Sequence, residues 1–295
     1  MTKKNNLKNI IDGKLLADKI KDDIVKEIVG INYGLAEAAW NRPNLAIILI
    51  GDREDSKLYV EMKEREARRV GIDTNIYRCE ADTPEEEIFS MIDFLNKDKT
   101  IDAILIQLPL PGGFDTDGLI LAIDPAKDVD RFHPDNLKIL FSTCSHDQVM
   151  PPVLASVLEM LKSIRYDLVG KQACVIANSD IFGLSLAKVL ECRGAKTIIT
   201  KADDNRLNNK TGKADILISA VGKKNLITAD MVKPDAVVID IGITKEGKKI
   251  SGDVDFDNVK KNAGYITPVP GGVGPMTIAM LFKNTLELYK RRKKS

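Results

Sequence analysis

The 295-residue chain carries 44 lysines and arginines against 43 aspartates and glutamates, with 44% hydrophobic and 29% charged residues. A net charge of +1 argues against a protein that holds nucleic acid through bulk charge. The N-terminus lacks the apolar stretch of a signal peptide and no apolar run approaches the roughly 20 residues of a membrane helix, so a cytoplasmic protein with no membrane partner is expected.

Helical and strand patterns alternate from the start. Leu16, Ile20, Ile24 and Ile28 recur at helical spacing, predicting a helix over 15–29. The apolar run 45–50, stopped by Gly51, reads as a buried parallel strand. A charged helix over 56–70 closes at Gly71, a strand follows at 76–79, and a helix over 84–96 has Pro84 near its start. Ile101 to Leu108 is a strand ended by prolines and glycines, and 116–123 a short helix. Residues 124–150 are weakly periodic, and Pro151-Pro152 opens a helix over 153–162.

A second series follows: strands at 173–177, 196–200, 216–220, 237–240 and 265–267, with a helix over 182–193 and a last helix over 277–291. The expectation is two α/β domains around a cleft, the second a Rossmann-type doubly wound parallel sheet. The boundaries fall at 1–150, joined by the C-terminal helix 275–295, and at 151–274. Four cysteines without a Cys-x-x-Cys unit and only two histidines, His133 and His146, predict free thiols and no metal site. The basic run Lys290 to Lys294 reads as a frayed helix end.

Tyr59 and Lys63 stand four apart on a helix and share a face. In a cleft, burial would lower the lysine pKa and let it move a proton near neutral pH; taken alone, the pattern fits a solvated lysine over a packed tyrosine more simply. Gln107, with Leu108, lies just past the carboxyl end of a strand, where ligands bind in open α/β sheets. Its amide suits the edge of a polar heterocycle. In Lys127-Asp-Val-Asp130 a carboxylate is suited to hold an N–C–N edge by two hydrogen bonds. The stretch Thr267 to Thr277, with three glycines and three prolines, specifies an unusual backbone between a strand and a helix. The turn Val175 to Gly183 is placed for phosphate binding but has a poor glycine pattern, with Ala177 and Ser179 at the first glycine positions.

Taken together, Ile11-Asp-Gly-Lys14, Pro43-x-Leu-Ala-Ile, Ser56-x-x-Tyr59-x-x-x-Lys63, Gln107-Leu-Pro-Leu110, Lys127-Asp-Val-Asp130, Asp240-Ile-Gly-Ile243, Gly252-Asp-Val254 and Thr267 to Thr277 run in an order that resembles the bifunctional methylenetetrahydrofolate dehydrogenase/methenyltetrahydrofolate cyclohydrolase family. The resemblance implies oxidation of 5,10-methylene-tetrahydrofolate with NADP, or NAD, and hydrolysis of the methenyl product to 10-formyl-tetrahydrofolate. It also implies folate in an interdomain cleft and a homodimer joined through the Rossmann domains. Lys63 would be the central catalytic residue, Tyr59 would orient the pterin, Gln107 would tune Lys63 and Asp130 would anchor the amino edge. Leu108, Pro270, Gly271 and Gly274 would line the folate site; Ala177, Asn178, Ser179, Lys201, Ala202 and Ile243 would line the nucleotide site.

The chain departs from the family around that nucleotide turn. Gly-Arg-Ser reads Ala177-Asn178-Ser179, which removes the arginine that pairs with a 2′-phosphate. Cys-His-Ser at the next strand end reads Thr200-Lys201-Ala202, and Asp-Val-Asp-Gly ends in Arg131. Lys201 stands where a Rossmann protein reads the ribose 2′ position and would partly replace the arginine; a solvent-facing strand end is the bland alternative. Two other readings remain open: a cyclohydrolase with weakened or lost dehydrogenase activity, and a non-catalytic folate-binding protein.

Overall fold

The computed structural model describes residues 9–36, 41–144, 149–247 and 249–294, so the first eight residues and His146 lie outside the described residues. The described residues form two compact units, one of 18–139, 149–152 and 278–294, the other of 9–17, 140–144 and 153–277. After helix α1 (Gly13–Ile31), the first unit holds β1 (Asn44–Ile50), α2 (Glu54–Val70), β2 (Asp73–Cys79), α3 (Glu85–Lys97), β3 (Ala103–Ile106) and α4 (Thr116–Leu121). Its strands pair in parallel in the order β2-β1-β3.

The apolar run of β1 is buried on both faces because helices cover both. Leu45, Ile47 and Leu49 pack with Ile24, Ile28, Val60 and Phe282. Ala46, Ile48 and Ile50 pack with Ile88, Ile92, Leu95 and Leu119. Each of these side chains larger than alanine contributes roughly 1.5–3 kcal/mol by leaving water. Gly71 ends α2 at φ 81, a left-handed position that costs glycine little. The weakly periodic stretch contains an unexpected helix, α5 (Pro134–Thr143), started by Pro134 and held by buried Leu137 and Leu140.

In the second unit follow α6 (Pro152–Ser163), β4 (Gln172–Ala177), α7 (Asp180–Glu191), β5 (Lys196–Thr200), α8 (Leu207–Thr211), β6 (Ile216–Ala220) and β7 (Val237–Asp240). Then come the hairpin β8 (Thr244–Glu246) and β9 (Lys249–Ser251), α9 (Phe256–Val259) and β10 (Tyr265–Ile266). Five parallel strands lie in the order β10-β7-β6-β4-β5. The strand order reverses between β4 and β6, the switch point at which doubly wound sheets open a crevice. Residues 9–11 extend the far edge: Ile11 N donates to Ile266 O at 2.9 Å and Ile266 N to Asn9 O at 2.8 Å. This pairing is why the opening residues belong with the second unit, where the sequence pattern grouped them with the first.

The last helix, α10 (Val273–Lys294), begins four residues before its expected start, with Pro275 inside its first turn. Its basic end is docked, not frayed. Arg292 Nε donates to Asp102 Oδ1 at 2.5 Å, and Lys290 pairs with Glu27 at 2.6 Å and Glu287 at 2.5 Å. The reading of all four cysteines as free thiols is also corrected. Cys144 and Cys192 form a disulfide across 48 residues, and Cys79 and Cys174 are free. Sequence spacing holds no signal for a pairing that only the fold brings within reach. No described helix is long and apolar enough to cross a membrane.

Candidate active site and nucleotide edge

Ser56, Val60, Lys63, Ala67 and Val70 follow one another at steps of four and three along α2, so Lys63 interrupts an inward-facing stripe. Its Nζ donates to Gln107 Oε1 at 2.7 Å. Gln107 follows β3, with its N–H on Ile48 O at 2.9 Å. Its Nε2 donates to Leu108 O at 2.6 Å, which fixes the amide with its oxygen toward the lysine. Burial pushes the Lys63 pKa down, opposed by attraction to Asp130.

Asp130 reaches this place because 127–129 run beside β3. Ile104 N donates to Lys127 O at 2.8 Å and Val129 N to Ile104 O at 3.4 Å. Asp128 anchors the turn beyond it, accepting from Arg131 N at 2.9 Å, His133 N at 2.9 Å and Asn136 Nδ2 at 3.0 Å. From α10, Asn284 Nδ2 donates to Val129 O at 3.0 Å. Burial raises the Asp130 carboxyl to about 6; the Lys63 ammonium pulls it down and the Asp128 carboxylate pushes it further up.

Tyr59, one turn before Lys63, is 38% exposed, and Leu108 is exposed beside Gln107. Both offer apolar surface at the same place as the polar trio. Ser56 was not singled out as a site residue from the sequence, yet it is buried on this stripe and its hydroxyl has no hydrogen-bond partner among the described residues. Arg131 holds a left-handed backbone at φ 61, where glycine would be unstrained. Its Nη1 donates to Pro125 O at 2.7 Å, and burial lowers its pKa to about 10, with the Asp128 carboxylate opposing.

Pro270, Gly271 and Gly274 belong to the second unit and are not in the set just described. The bonds before Pro109 and Pro270 are both cis. Gly271 has φ 102, and its carbonyl accepts from Lys14 N at 3.1 Å. A Cβ at Gly13 would stand 1.9 Å from Gly272 O, so the Asp-Gly and Gly-Gly motifs meet backbone to backbone. At Gly274 a Cβ would meet nothing within 4 Å. Protein packing therefore does not demand that glycine, and the space beside it is open.

The expected nucleotide residues line up along the carboxyl edge of the second sheet. Ala177 ends β4 and is buried. Ser179 caps α7, its Oγ accepting from Phe182 N at 3.3 Å. Asn178 Nδ2 donates to Val221 O at 2.8 Å, across the switch point. Lys201, just past β5, donates from Nζ to Asn178 O at 2.7 Å and to Asp180 Oδ1 at 2.5 Å. Ala202 follows it. Ile243, after β7, is half exposed, and its carbonyl lies 3.5 Å from where a Cβ of Gly222 would be.

These residues fit a dinucleotide. A 12-residue helix with a serine cap points its first N–H groups at the switch point, and Lys201 brings a cation to the turn. Gly183 does the third glycine's packing work, since a Cβ there would lie 3.1 Å from Ile199 Cγ2. The Asp180 carboxylate, paired with Lys201, reduces the positive charge offered there.

The fold and site thus define an α/β enzyme of two units, one presenting a half-buried lysine hydrogen-bonded to a glutamine and under the attraction of a buried carboxylate, the other a dinucleotide-type sheet edge. Residues 11–130 match the tetrahydrofolate dehydrogenase/cyclohydrolase catalytic domain and residues 151–293 the NAD(P)-binding domain of the same family. The bifunctional protein FolD of Nitratiruptor sp. is 48% identical over 286 residues, 97% of this chain and 99% of that protein. The crystal structure of the bifunctional FolD methylenetetrahydrofolate dehydrogenase/cyclohydrolase from Campylobacter jejuni superposes with a TM-score of 0.90 at 38% identity, covering 96% of this chain and 99% of that one. That of the Trypanosoma brucei enzyme, complexed with NADP cofactor and inhibitor, gives 0.90 at 31% identity over 97% and 98% of the two chains. The chain belongs to the tetrahydrofolate dehydrogenase/cyclohydrolase family.

Proposed function

We propose that the chain oxidises 5,10-methylene-tetrahydrofolate to the 5,10-methenyl form with NADP and hydrolyses that product to 10-formyl-tetrahydrofolate. The first unit is read as the folate-binding catalytic domain and the second as the nucleotide domain. The observation that carries this reading is the Lys63 amine, buried, depressed in pKa and hydrogen-bonded to Gln107.

Hydrolysis adds water to the methenyl carbon, loses a proton from the added hydroxyl and delivers one to the departing ring nitrogen. A lysine with lowered pKa can exchange protons with both. Gln107 keeps the amine from swinging away, and a cationic substrate would depress its pKa further by like-charge repulsion. Tyr59 offers its exposed ring as a stacking face, and Asp130 accepts from an amino edge. Pro270, Gly271 and Gly274 are assigned to the folate site on the family motif and on the open space at Gly274. The bound nucleotide supplies the hydride acceptor. Ala177 to Ser179, Lys201, Ala202 and Ile243 hold and orient it, and alignment is the main requirement of that step.

The NADP assignment rests on the cofactor of the Trypanosoma brucei relative and on Lys201 beside the turn. Lys201 is offered as a partial replacement for the missing arginine, which leaves a weak preference over NAD. A second reading, a cyclohydrolase with reduced dehydrogenase activity, is favoured by one observation: Asn178 carries no charge and spends its amide on Val221. We further propose a cytoplasmic homodimer formed through edge strand β5 and α7, where Ile198, Ile181 and Leu184 are exposed.

Lys63→Met tests the central claim. Hydrolysis, followed as decay of methenyl-tetrahydrofolate absorbance, falls by about 10²–10⁴-fold while NADP binding persists. Hydrolysis at full speed in that variant would defeat the assignment. Oxidation of the methylene substrate with each nucleotide, assayed on the wild type, separates the two readings.

A further inference from the structure

One hydrogen-bonded chain crosses the carboxyl edge of the second sheet in strand order. At β10, Thr267 Oγ1 accepts from Asp240 N at 2.8 Å. At β7, the Asp240 carboxylate accepts from Gly242 N and Asp253 N, both at 3.0 Å, and from Val254 N at 2.9 Å. Asp253 passes the chain to β6. Its Oδ2 accepts from Ser219 Oγ at 2.7 Å and Val221 N at 2.8 Å, and its Oδ1 from Lys223 N at 2.8 Å. Val221 O then holds Asn178 at β4, and Asn178 O holds Lys201 at β5.

Asp253 is the hinge of this chain. It is fully buried, no described cation is paired with it, and three protein donors converge on it from the end of β6 and the residues just after it. A buried carboxylate is costly unless its lone pairs are met, and only an acceptor-only group satisfies a hydroxyl and two N–H groups together. The surroundings are cut to fit it: a Cβ at Gly242 would stand 2.0 Å from its Oδ1. What the carboxylate fixes is the backbone at 219–223, and with it the direction of the Val221 carbonyl.

We propose that Asp253 is a positioning residue for nucleotide binding, acting through Val221 on the turn at Asn178; this rests on the reading of that edge as the NADP site. Because Asn178 lacks the charge to grip a phosphate, its role becomes that of a tie, and the turn is only as well placed as the carbonyl that tie reaches. Asp253 thus governs nucleotide affinity without touching the nucleotide.

The test is a double-mutant cycle on the full chain, read by NADP affinity. Asp253→Asn keeps the shape but sets an amide NH₂ against at least one N–H that needs an acceptor, Lys223 N or Val221 N, which loosens the loop. It raises the Kd and KM for NADP about tenfold with kcat within about twofold, a change of about 1.4 kcal/mol in binding. In an Asn178→Ala background the same substitution costs less than about twofold, because the tie is already cut. Equal cost in both backgrounds, or a fall in kcat at constant KM, overturns the proposal. Should Asp253→Asn not fold, Ser219→Ala removes one donor and is read in the same cycle, with about a threefold loss expected only when Asn178 is present. Hydrogen exchange on the nucleotide-free protein decides the relay separately: Asp253→Asn, or Ser219→Ala in its place, speeds exchange at Val221, Lys223 and 178–180. Unchanged exchange at 178–180 also overturns it, whereas a wild type that binds no NADP overturns the nucleotide reading and leaves the relay to the exchange result.

Discussion

Arg292→Met should destabilise the first unit by about 3 kcal/mol at neutral pH, because it strands a buried carboxylate. The Asp102 side chain is 0% exposed, whereas Arg292 is 33% exposed. Removing one partner of a buried pair costs about 3–5 kcal/mol, and the lower end applies because water can follow the missing guanidinium inward. Asp102 retains one donor, Asn44 N at 2.8 Å. Burial already raises the Asp102 carboxyl above its usual range, with Arg292 pulling it back, so losing the arginine raises it further. A carboxyl raised in the folded state keeps its stabilising contribution below the unfolded pKa and loses it as pH rises through the folded value. The deficit of the variant should therefore be larger at pH 8 than at pH 5. Loss of the Tyr289 contact, 5.9 Å from the guanidinium carbon, adds a smaller part that does not vary with pH. Urea midpoints of wild type and variant at both pH values read the effect, and adding Asp102→Asn to the variant should recover about 1 kcal/mol or more at pH 8. A deficit that is the same at pH 5 and pH 8 would refute the reasoning.

Three other outcomes follow from particular groups. Asp130, raised from 3.8 to about 6, should make stability fall as pH climbs from about 4 to 6, by up to about 3 kcal/mol; Asp130→Asn should flatten that slope in urea midpoints, and a parallel slope would count against the burial argument. Lys201→Ala should weaken NADP more than NAD in titration calorimetry, and equal NADP affinity in both proteins would rule Lys201 out as reader of the 2′-phosphate. Reduction of Cys144–Cys192 should lower stability by about 4 kcal/mol on a loop-entropy account of its 48-residue separation, seen as a drop in Tm with reductant that Cys192→Ser lacks.

Where the sequence could be read, local pattern and topology agreed. The run Leu45 to Ile50 has one meaning in a chain that alternates strands and helices, and β1 is buried on both faces as such a run requires. Tyr59 and Lys63 were visible as a pair, but their orientation was not. The signal lay in the steps Ser56, Val60, Lys63, Ala67 and Val70, which put the lysine on the core stripe and not on the charged face. Other features resisted because they depend on tertiary contact. Asp253 in Gly252-Asp-Val254 carries no local pattern, and its meaning comes from Ser219, Val221 and Lys223 at the end of β6 and just after it. Cys144 and Cys192, and Arg292 with Asp102, are likewise joined only by the fold.

The altered turn and the preserved acidic motifs bear on one another. Replacing an arginine by Asn178 removes a charge, yet the shorter side chain finds the Val221 carbonyl, and that carbonyl is aimed by Asp253. On the proposed reading the loop that presents α7 to a diphosphate does not need the arginine, because its geometry is tied to β6 and β7 through Val221, Asp253 and Asp240. What is lost is only the long-range attraction to a second phosphate. On the same reading that function falls to Lys201, whose ammonium is already partly neutralised by Asp180. On this account nucleotide affinity and nucleotide choice are separable in this chain: Asp253 controls the first through geometry, and the Lys201–Asp180 pair controls the second through charge.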